Sequence, residues 1–187
     1  MGLGPHLPAN VPDVITLGTA TGQPDLSRLH RVALMAYGWM PRVLRLDPDY
    51  IESAVLTLRS AQVATADDWS TVPVGDLALC LNSVVGASKV LHFTNPQTFP
   101  IWDRKVERFR QGTDNQHHMN QVRNYLNYAH EIHAIARAPE FEAFFTAFSE
   151  VFRARLEALG IVPYQLAAVR AIETAAFELA DDEPSDG

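Results

Sequence analysis

The sequence predicts an all-α fold, and three observations lead to that prediction. Apolar residues recur at helical spacing in most segments between residues 26 and 180. Two-residue alternation with β-branched side chains, which would indicate strands, is limited to the brief run "DVITLG". The chain has 187 residues, of which 47% are hydrophobic and 20% are charged, as in one soluble domain with a sizeable core. We therefore expect a compact bundle of about six to eight helices.

Composition divides the chain into three parts. Residues 1–24 are rich in proline and glycine, which predicts an irregular N-terminal arm. Residues 25–180 carry the helical periodicity and are expected to form a single all-α domain. Residues 181–187, "DDEPSDG", hold four of the seven net negative charges, so we expect a disordered acidic tail.

Apolar spacing and terminal signals place the helices in order. Asp47 is the expected N-cap of the second helix, with Pro48 at its first position, and Pro163 is the expected start of the last. The third helix is apolar nearly all round, which indicates a central buried element that Gly86 is expected to break into two arms. The predicted helices cover residues 26–40, 47–61, about 73–93, a start between 101 and 103 to about 110, 116–138, 139–160 and about 163–179.

Between the third and fourth helices lies the short stretch "TNPQTFP". Pro96 and Pro100 each disfavour helical backbone at the residue before them, so the stretch is predicted to be a loop. Asp103 then stands at or near the first turn of the next helix. Two interpretations of this acid remain open: it is an ordinary N-terminal capping residue, or it is held in a defined, water-poor position by its stiff apolar approach.

Lys89, in the middle of the apolar third helix, also has two interpretations. Its stem can lie along apolar surface while the ammonium reaches water. If the ammonium is instead partly removed from water, its pKa falls and the amine becomes a usable nucleophile.

The net charge of −7 argues against a broad nucleic-acid-binding surface. Residues 104–110 nevertheless carry a local excess of +3, because Arg104, Lys105, Arg108 and Arg110 face only one acid. This basic patch is either a local phosphate contact or an ordinary solvated helix face.

The sequence indicates neither a redox centre nor a membrane segment. The single cysteine, Cys80, excludes a disulfide framework and favours a reducing, cytoplasmic setting. His130 and His133 could share a helix face, but no carboxylate completes a metal-binding spacing. The N-terminus lacks the charged and apolar regions of a signal peptide, and no run approaches the about 18 apolar residues that a membrane span needs. We expect a monomer without metal or other cofactor.

The stretch "VVGASKVLHFTNPQTFPIWDRKV" has a recognisable order: Gly-x-x-Lys in a helix, a short loop, then an apolar residue before an aspartate. It resembles the helix-hairpin-helix DNA glycosylases, in particular the compact 8-oxoguanine-glycosylase-like branch. The resemblance implies that Asp103 stands at the catalytic aspartate, and that Lys89 stands at or near the lysine that attacks the sugar in bifunctional members. It also implies that backbone amides of Gly86 to Ser88 face a DNA phosphate and that Lys105 makes another backbone contact. From the basic patch we add Arg104 and Arg108 as candidate DNA contacts.

The residues around this stretch supply candidates for the pocket of an extruded base. Asn82 is expected to be a buried polar residue one turn before Gly86, and His92 lies one turn after Lys89. Trp39 and Trp102 could stack on or wedge beside a base, although core packing is the commoner role of each such aromatic.

Two departures from the family pattern bear on the chemistry. The hairpin keeps one glycine and no proline, so we expect a reduced helix-hairpin-helix element. The spacing from Lys89 to Asp103 is shorter than is usual in the family, which would shift the position of the attacking lysine toward Val84 or Val85. An enzyme without a lysine there would be monofunctional, with Asp103 activating water.

The resulting prediction is an enzyme that flips out a modified base and cleaves its N-glycosidic bond. The negative charge and the reduced hairpin suggest a special substrate, and hypermodified phage DNA, in a phage-defence role, is one hypothesis. The alternatives are a non-catalytic nucleic-acid-binding or regulatory module, and a helical interaction protein in which Lys89 and Asp103 form a structural salt bridge.

Overall fold

A computed structural model describes residues 22–38, 40 and 43–182. Within these ranges the chain forms nine α-helices and two short 3-10 turns, and no strand, which confirms the all-α prediction. The helices are α1 (Leu26–Tyr37), α2 (Ile51–Val63), α3 (Val74–Leu81), α4 (Val84–Thr94), α5 (Arg104–Gln111), α6 (Gln116–Met119), α7 (Val122–Ala136), α8 (Phe141–Ala158) and α9 (Ala168–Asp182).

The structure describes more helices than were predicted for two reasons. The expected third helix is divided into α3 and α4, and the expected fifth helix is divided into the one-turn α6 and the long α7. Asp47 does act as an N-cap, but it caps the 3-10 turn Pro48–Tyr50, and α2 begins only at Ile51. Trp39 and the run "DVITLG" lie outside the described residues.

The α3–α4 hairpin breaks at Asn82 and Ser83, and the predicted break at Gly86 is wrong. Asn82 ends α3 with a φ of 47°, a left-handed conformation that asparagine tolerates better than most residues. The side chain of Ser83 then caps α4 by accepting a hydrogen bond from the Gly86 amide at 2.9 Å. The chain turns here by 119° between the two helix axes.

Gly86 instead allows α1 to pack closely on α4. A Cβ at this position would lie 2.6 Å from the Tyr37 hydroxyl oxygen, well inside van der Waals contact. That hydroxyl donates a hydrogen bond of 2.9 Å to the Leu81 carbonyl at the end of α3. The glycine therefore fits a three-way junction of α1, α3 and α4.

Helix α4 is the central element, packed against α1, α2, α3 and α7. Helix α9 packs mainly on α5 and α7, and less closely on α8. A second, smaller core of Phe152, Leu156 and Leu166 joins α8 to the segment 161–166. Helix α9 begins at Ala168, five residues after the predicted Pro163, because this segment is used to cover α8.

The C-terminal boundary also differs from the prediction. Helix α9 continues through Asp182, so the first two residues of the expected acidic tail are helical, and residues 183–187 lie outside the described part. Within the described residues, no single helix has the length and apolar character of a membrane span. The bent pair α3–α4 meets both criteria only when its two helices are counted together.

The junction at Gly86 leads to a stability prediction. Gly86→Ala should lower the free energy of unfolding by about 1–3 kcal/mol, because the added methyl displaces Tyr37 from its hydrogen bond. Gly75→Ala is the matched control, since no atom lies within 4 Å of a methyl added there; it should be neutral or stabilise by up to about 1 kcal/mol. Urea denaturation measures both, and equal effects would contradict the close-packing argument.

Candidate functional site

The segment Thr98–Trp102, which leads to Asp103, is irregular in backbone, and all of its residues except the half-buried Ile101 are buried. Such a segment needs hydrogen-bond partners for its backbone because water is excluded. Side chains of α4 and α7 bind four successive carbonyl oxygens. His133 donates to Thr98 (2.9 Å), His92 to Phe99 (2.8 Å), Tyr125 to Pro100 (3.3 Å) and Tyr128 to Ile101 (3.1 Å).

Two further side chains accept from the amides of the same segment. The Glu173 carboxylate of α9 accepts from the Ile101 amide at 2.5 Å, and the Ser88 hydroxyl of α4 accepts from the Trp102 amide at 3.0 Å. Glu173 is only 2% exposed. Burial raises its pKa, although its ion pair with Arg170 acts in the opposite direction. We call these six side chains and the backbone they hold the loop clamp.

The indole of Trp102 is anchored separately. It is fully buried, and its Nε1 donates to the Glu107 carboxylate at 3.1 Å. Burial would raise the pKa of Glu107, but hydrogen bonds from Arg110, His118 and Trp102 outweigh it and lower the pKa. Trp102 therefore serves as a core residue in this structure, and the predicted base-pocket role does not fit its position.

Asp103 follows directly after the loop clamp and is half-buried. It is the N-cap of α5, as one of the two interpretations predicted, and its Oδ1 accepts from the Lys105 amide at 2.9 Å. Oδ2 has no hydrogen-bond partner among the described residues. One carboxylate oxygen thus fixes the side chain, and the other remains available.

Lys89, on α4, is half-buried and makes no hydrogen bond with the described residues. Burial lowers the pKa of its amine; Asp103 raises it, and Arg170 lowers it further. No ion pair within 4.0 Å joins Lys89 to Asp103, so a direct salt bridge between the two is not formed.

Arg170 was not recognised from the sequence. Its Nη1 pairs with the buried Glu173 three residues later on α9, while 28% of the arginine side chain stays exposed. Its charge lowers the pKa of both Lys89 and His92. The sequence feature that could have identified Arg170 is a base and an acid three residues apart on an otherwise apolar helix, "AAVRAIETAAF".

Of the other predicted pocket residues that the structure describes, Asn82 and His92 lie in different surroundings. Asn82 is exposed at the hairpin turn and not buried, because its left-handed backbone ends α3 at the surface. His92 is 1% exposed and bound to Phe99. A cleft of about 590 Å³ does open between α8 and residues 163–166. Tyr164 lines it and is close enough to Arg170 that each affects the pKa of the other.

Two of the predicted DNA contacts are also placed inside the protein. Gly86 is buried and its amide is used by the Ser83 cap. Ser88 is fully buried; its hydroxyl donates to the Val85 carbonyl and accepts from Trp102. Neither residue can reach a DNA phosphate in this structure, because helix capping and the loop clamp take their polar groups.

The remaining predicted contacts lie on α5 at the surface. Arg104 donates to the Asp114 carbonyl at 3.0 and 3.1 Å, and Arg108 pairs with the Asp114 carboxylate at 2.5 Å while its side chain is 69% exposed. The ammonium of Lys105 lies 3.9 Å from the centre of the Phe177 ring. Arg110 instead turns inward to Glu107, so the local positive excess at the surface is smaller than the sequence suggests.

His130 and His133 on α7 do not form a metal site with acidic side chains of the described residues. His133 is buried and stacks on Trp69 with ring centres 5.0 Å apart, whereas His130 is exposed and meets the same ring edge-on. Burial lowers the pKa of His133. No group of three or more metal-ligating side chains occurs within residues 22–182 as described.

His92 leads to a pH prediction. Burial, and then the nearby Arg170, lower its pKa to about 3, whereas an unfolded histidine titrates near its ordinary value of 6.5. The unfolded chain therefore binds the proton first as the pH falls, and stability is lost below pH 6.5. This group alone should remove about 2 kcal/mol between pH 7 and pH 5.

His92→Asn retains a donor for the Phe99 carbonyl but does not titrate, so its unfolding free energy should fall less over the same range. His117→Asn, at an exposed position, is the control and should keep the wild-type pH dependence. Denaturant titrations at both pH values measure the difference, and parallel losses in wild type and His92→Asn would refute the assignment.

Comparison with known proteins gave no match to a protein-family model, to a curated protein or to a solved structure.

Proposed function

We propose that the protein is a DNA glycosylase that extrudes a modified base and cleaves its N-glycosidic bond. Asp103 carries the proposal: a carboxylate with one fixed and one unpartnered oxygen among the described residues, placed after a clamped loop and near Lys89. The order of helical hairpin, loop and acid is that of the glycosylases which the sequence resembles.

The chemistry needs a negative charge next to a sugar that becomes cationic as the base departs. The unpartnered Oδ2 of Asp103 would stabilise that sugar by charge attraction in a position partly removed from water. The same oxygen would accept the proton of the nucleophile. The loop clamp would contribute by holding the aspartate still, so that little reorganisation accompanies the reaction.

Water is the nucleophile that the geometry favours. Lys89 Nζ is more than 4.0 Å from the Asp103 carboxylate, outside the range for direct proton transfer. We therefore propose a monofunctional enzyme, with the lysine in another role. The cleft beside Tyr164 has room for a base, and Tyr164 offers an aromatic face for stacking.

A non-catalytic nucleic-acid-binding module remains the second candidate. It is favoured by the surface position of Arg104 and Arg108 on α5, where the Arg108 side chain is 69% exposed. A chain of this kind would bind DNA without releasing any base.

The role of Asp103 can be tested with Asp103→Asn. Asparagine is as good an N-cap as aspartate, so folding should be preserved, while base release should fall by about 100-fold or more. The measurement is alkaline cleavage at abasic sites after incubation with a panel of DNAs that carry modified bases, phage DNA with hypermodified bases included.

Asp114→Asn is the matched control, because it removes one acid near the same helix, paired with Arg108, and should leave base release unchanged. Full activity in Asp103→Asn would refute the catalytic role. Loss of thermal stability in that variant, with no base release by wild type on any substrate, would favour a structural role for the acid.

Borohydride trapping tests the monofunctional assignment. If water attacks, wild type should release the base without forming a covalent protein–DNA adduct, and Lys89→Gln should form none either. An adduct that wild type forms and Lys89→Gln does not would show that the lysine attacks the sugar.

A further inference from the structure

Lys89 on α4 and Arg170 on α9 lie close enough for the charge of Arg170 to act on Lys89, and each has a residue of the loop clamp as a neighbour. Ser88, next to Lys89 on α4, holds the Trp102 amide at 3.0 Å. Glu173, the partner of Arg170 on α9, holds the Ile101 amide at 2.5 Å. The neighbours of the two cations, Ser88 and Glu173, therefore bind consecutive backbone amides directly before Asp103.

The guanidinium of Arg170 is only partly used. It has five N–H donors, and Nη1 alone binds Glu173. Nε and Nη2 have no hydrogen-bond partner among the described residues. Every buried side-chain nitrogen of the described residues has a partner, so these two nitrogens are accessible to solvent. These two nitrogens form one edge of the guanidinium, whose parallel N–H bonds match two oxygens of a phosphate.

Lys89 adds three further donors that have no partner within the described ranges. A half-buried ammonium that makes no hydrogen bond is costly unless water or a ligand binds it. Arg170 also disfavours the charged state of Lys89, since it lowers the pKa of the amine. An anion between them would supply the missing acceptors and offset this repulsion.

We propose that Lys89 and Arg170 form a phosphate-binding site between α4 and α9, next to Asp103. This proposal rests on the proposed function: in a glycosylase the site would hold the phosphodiester of the extruded nucleotide, with its sugar beside Asp103. Arg170 would make the bidentate contact through Nε and Nη2, and Lys89 would bind as a point charge. Glu173 is a positioning residue that orients the free edge of the guanidinium.

The test is the binding of a fluorescein-labelled duplex that contains a tetrahydrofuran abasic-site analogue, followed by anisotropy from 50 to 200 mM NaCl. Arg170→Gln should raise Kd by about tenfold or more, and should reduce the slope of log binding constant against log salt by about one. Lys89→Gln should reduce the slope by the same amount.

Arg155→Gln is the matched control. Arg155 is an exposed arginine whose partner, Glu178, also lies on α9, so the variant removes the same charge away from the site. It should bind as wild type does. Arg170→Gln leaves the buried Glu173 unpaired, so thermal melting must accompany it. Arg170→Lys keeps a positive charge at this position but cannot make the bidentate contact. It should bind the duplex with an affinity between those of wild type and Arg170→Gln.

A second arm with inorganic phosphate, measured by calorimetry, separates this proposal from the glycosylase proposal. Binding of phosphate but no DNA by wild type, lost in Arg170→Gln, would support the site and refute the glycosylase function. The opposite outcome would be base release by wild type and DNA binding as tight as wild type by the folded variants Arg170→Lys, Arg170→Gln and Lys89→Gln. That outcome would refute the phosphate site and keep the glycosylase function.

Discussion

The hydrogen bonds of the loop clamp are the interaction on which the rest of the structure depends. An irregular segment at the centre of a helical protein exposes backbone donors and acceptors to an apolar environment, where each unpaired group is costly. Here α4, α7 and α9 each supply polar side chains to it, so that three helices converge on the same five residues. Helix α5 and Asp103 take their position from that convergence.

The clamp also explains the buried charges. Glu173 is nearly inaccessible, yet it bridges a backbone amide and Arg170, so each of its oxygens has a partner. Glu107 does the same for the Trp102 indole, with Arg110 and His118 as its other partners. A buried acid with this many donors fixes geometry more than it adds net stability, because removing either partner would leave an uncompensated charge.

The neighbourhood of Asp103 contrasts with this saturation. Around the clamp the buried polar groups are paired, whereas Lys89 Nζ, Asp103 Oδ2 and one edge of Arg170 have no partner among the described residues. Unused donors and an unused acceptor next to a rigid backbone are the features expected of a binding site, since a ligand can use them without rearrangement of the protein.

The sequence by itself determined the fold class and most helix positions, and it offered capping as one of two interpretations of Asp103, because apolar periodicity and the Pro and Asp signals act locally. It also singled out Lys89 and Asp103. Only the tertiary structure decided that Gly86 and Ser88 are internal, that Trp102 is core, and that Arg170 lies near Lys89. Sequence could not predict these, since Arg170 is 81 residues from Lys89 in the chain, and its partner Glu173 meets the clamped loop through a long-range hydrogen bond to the Ile101 amide.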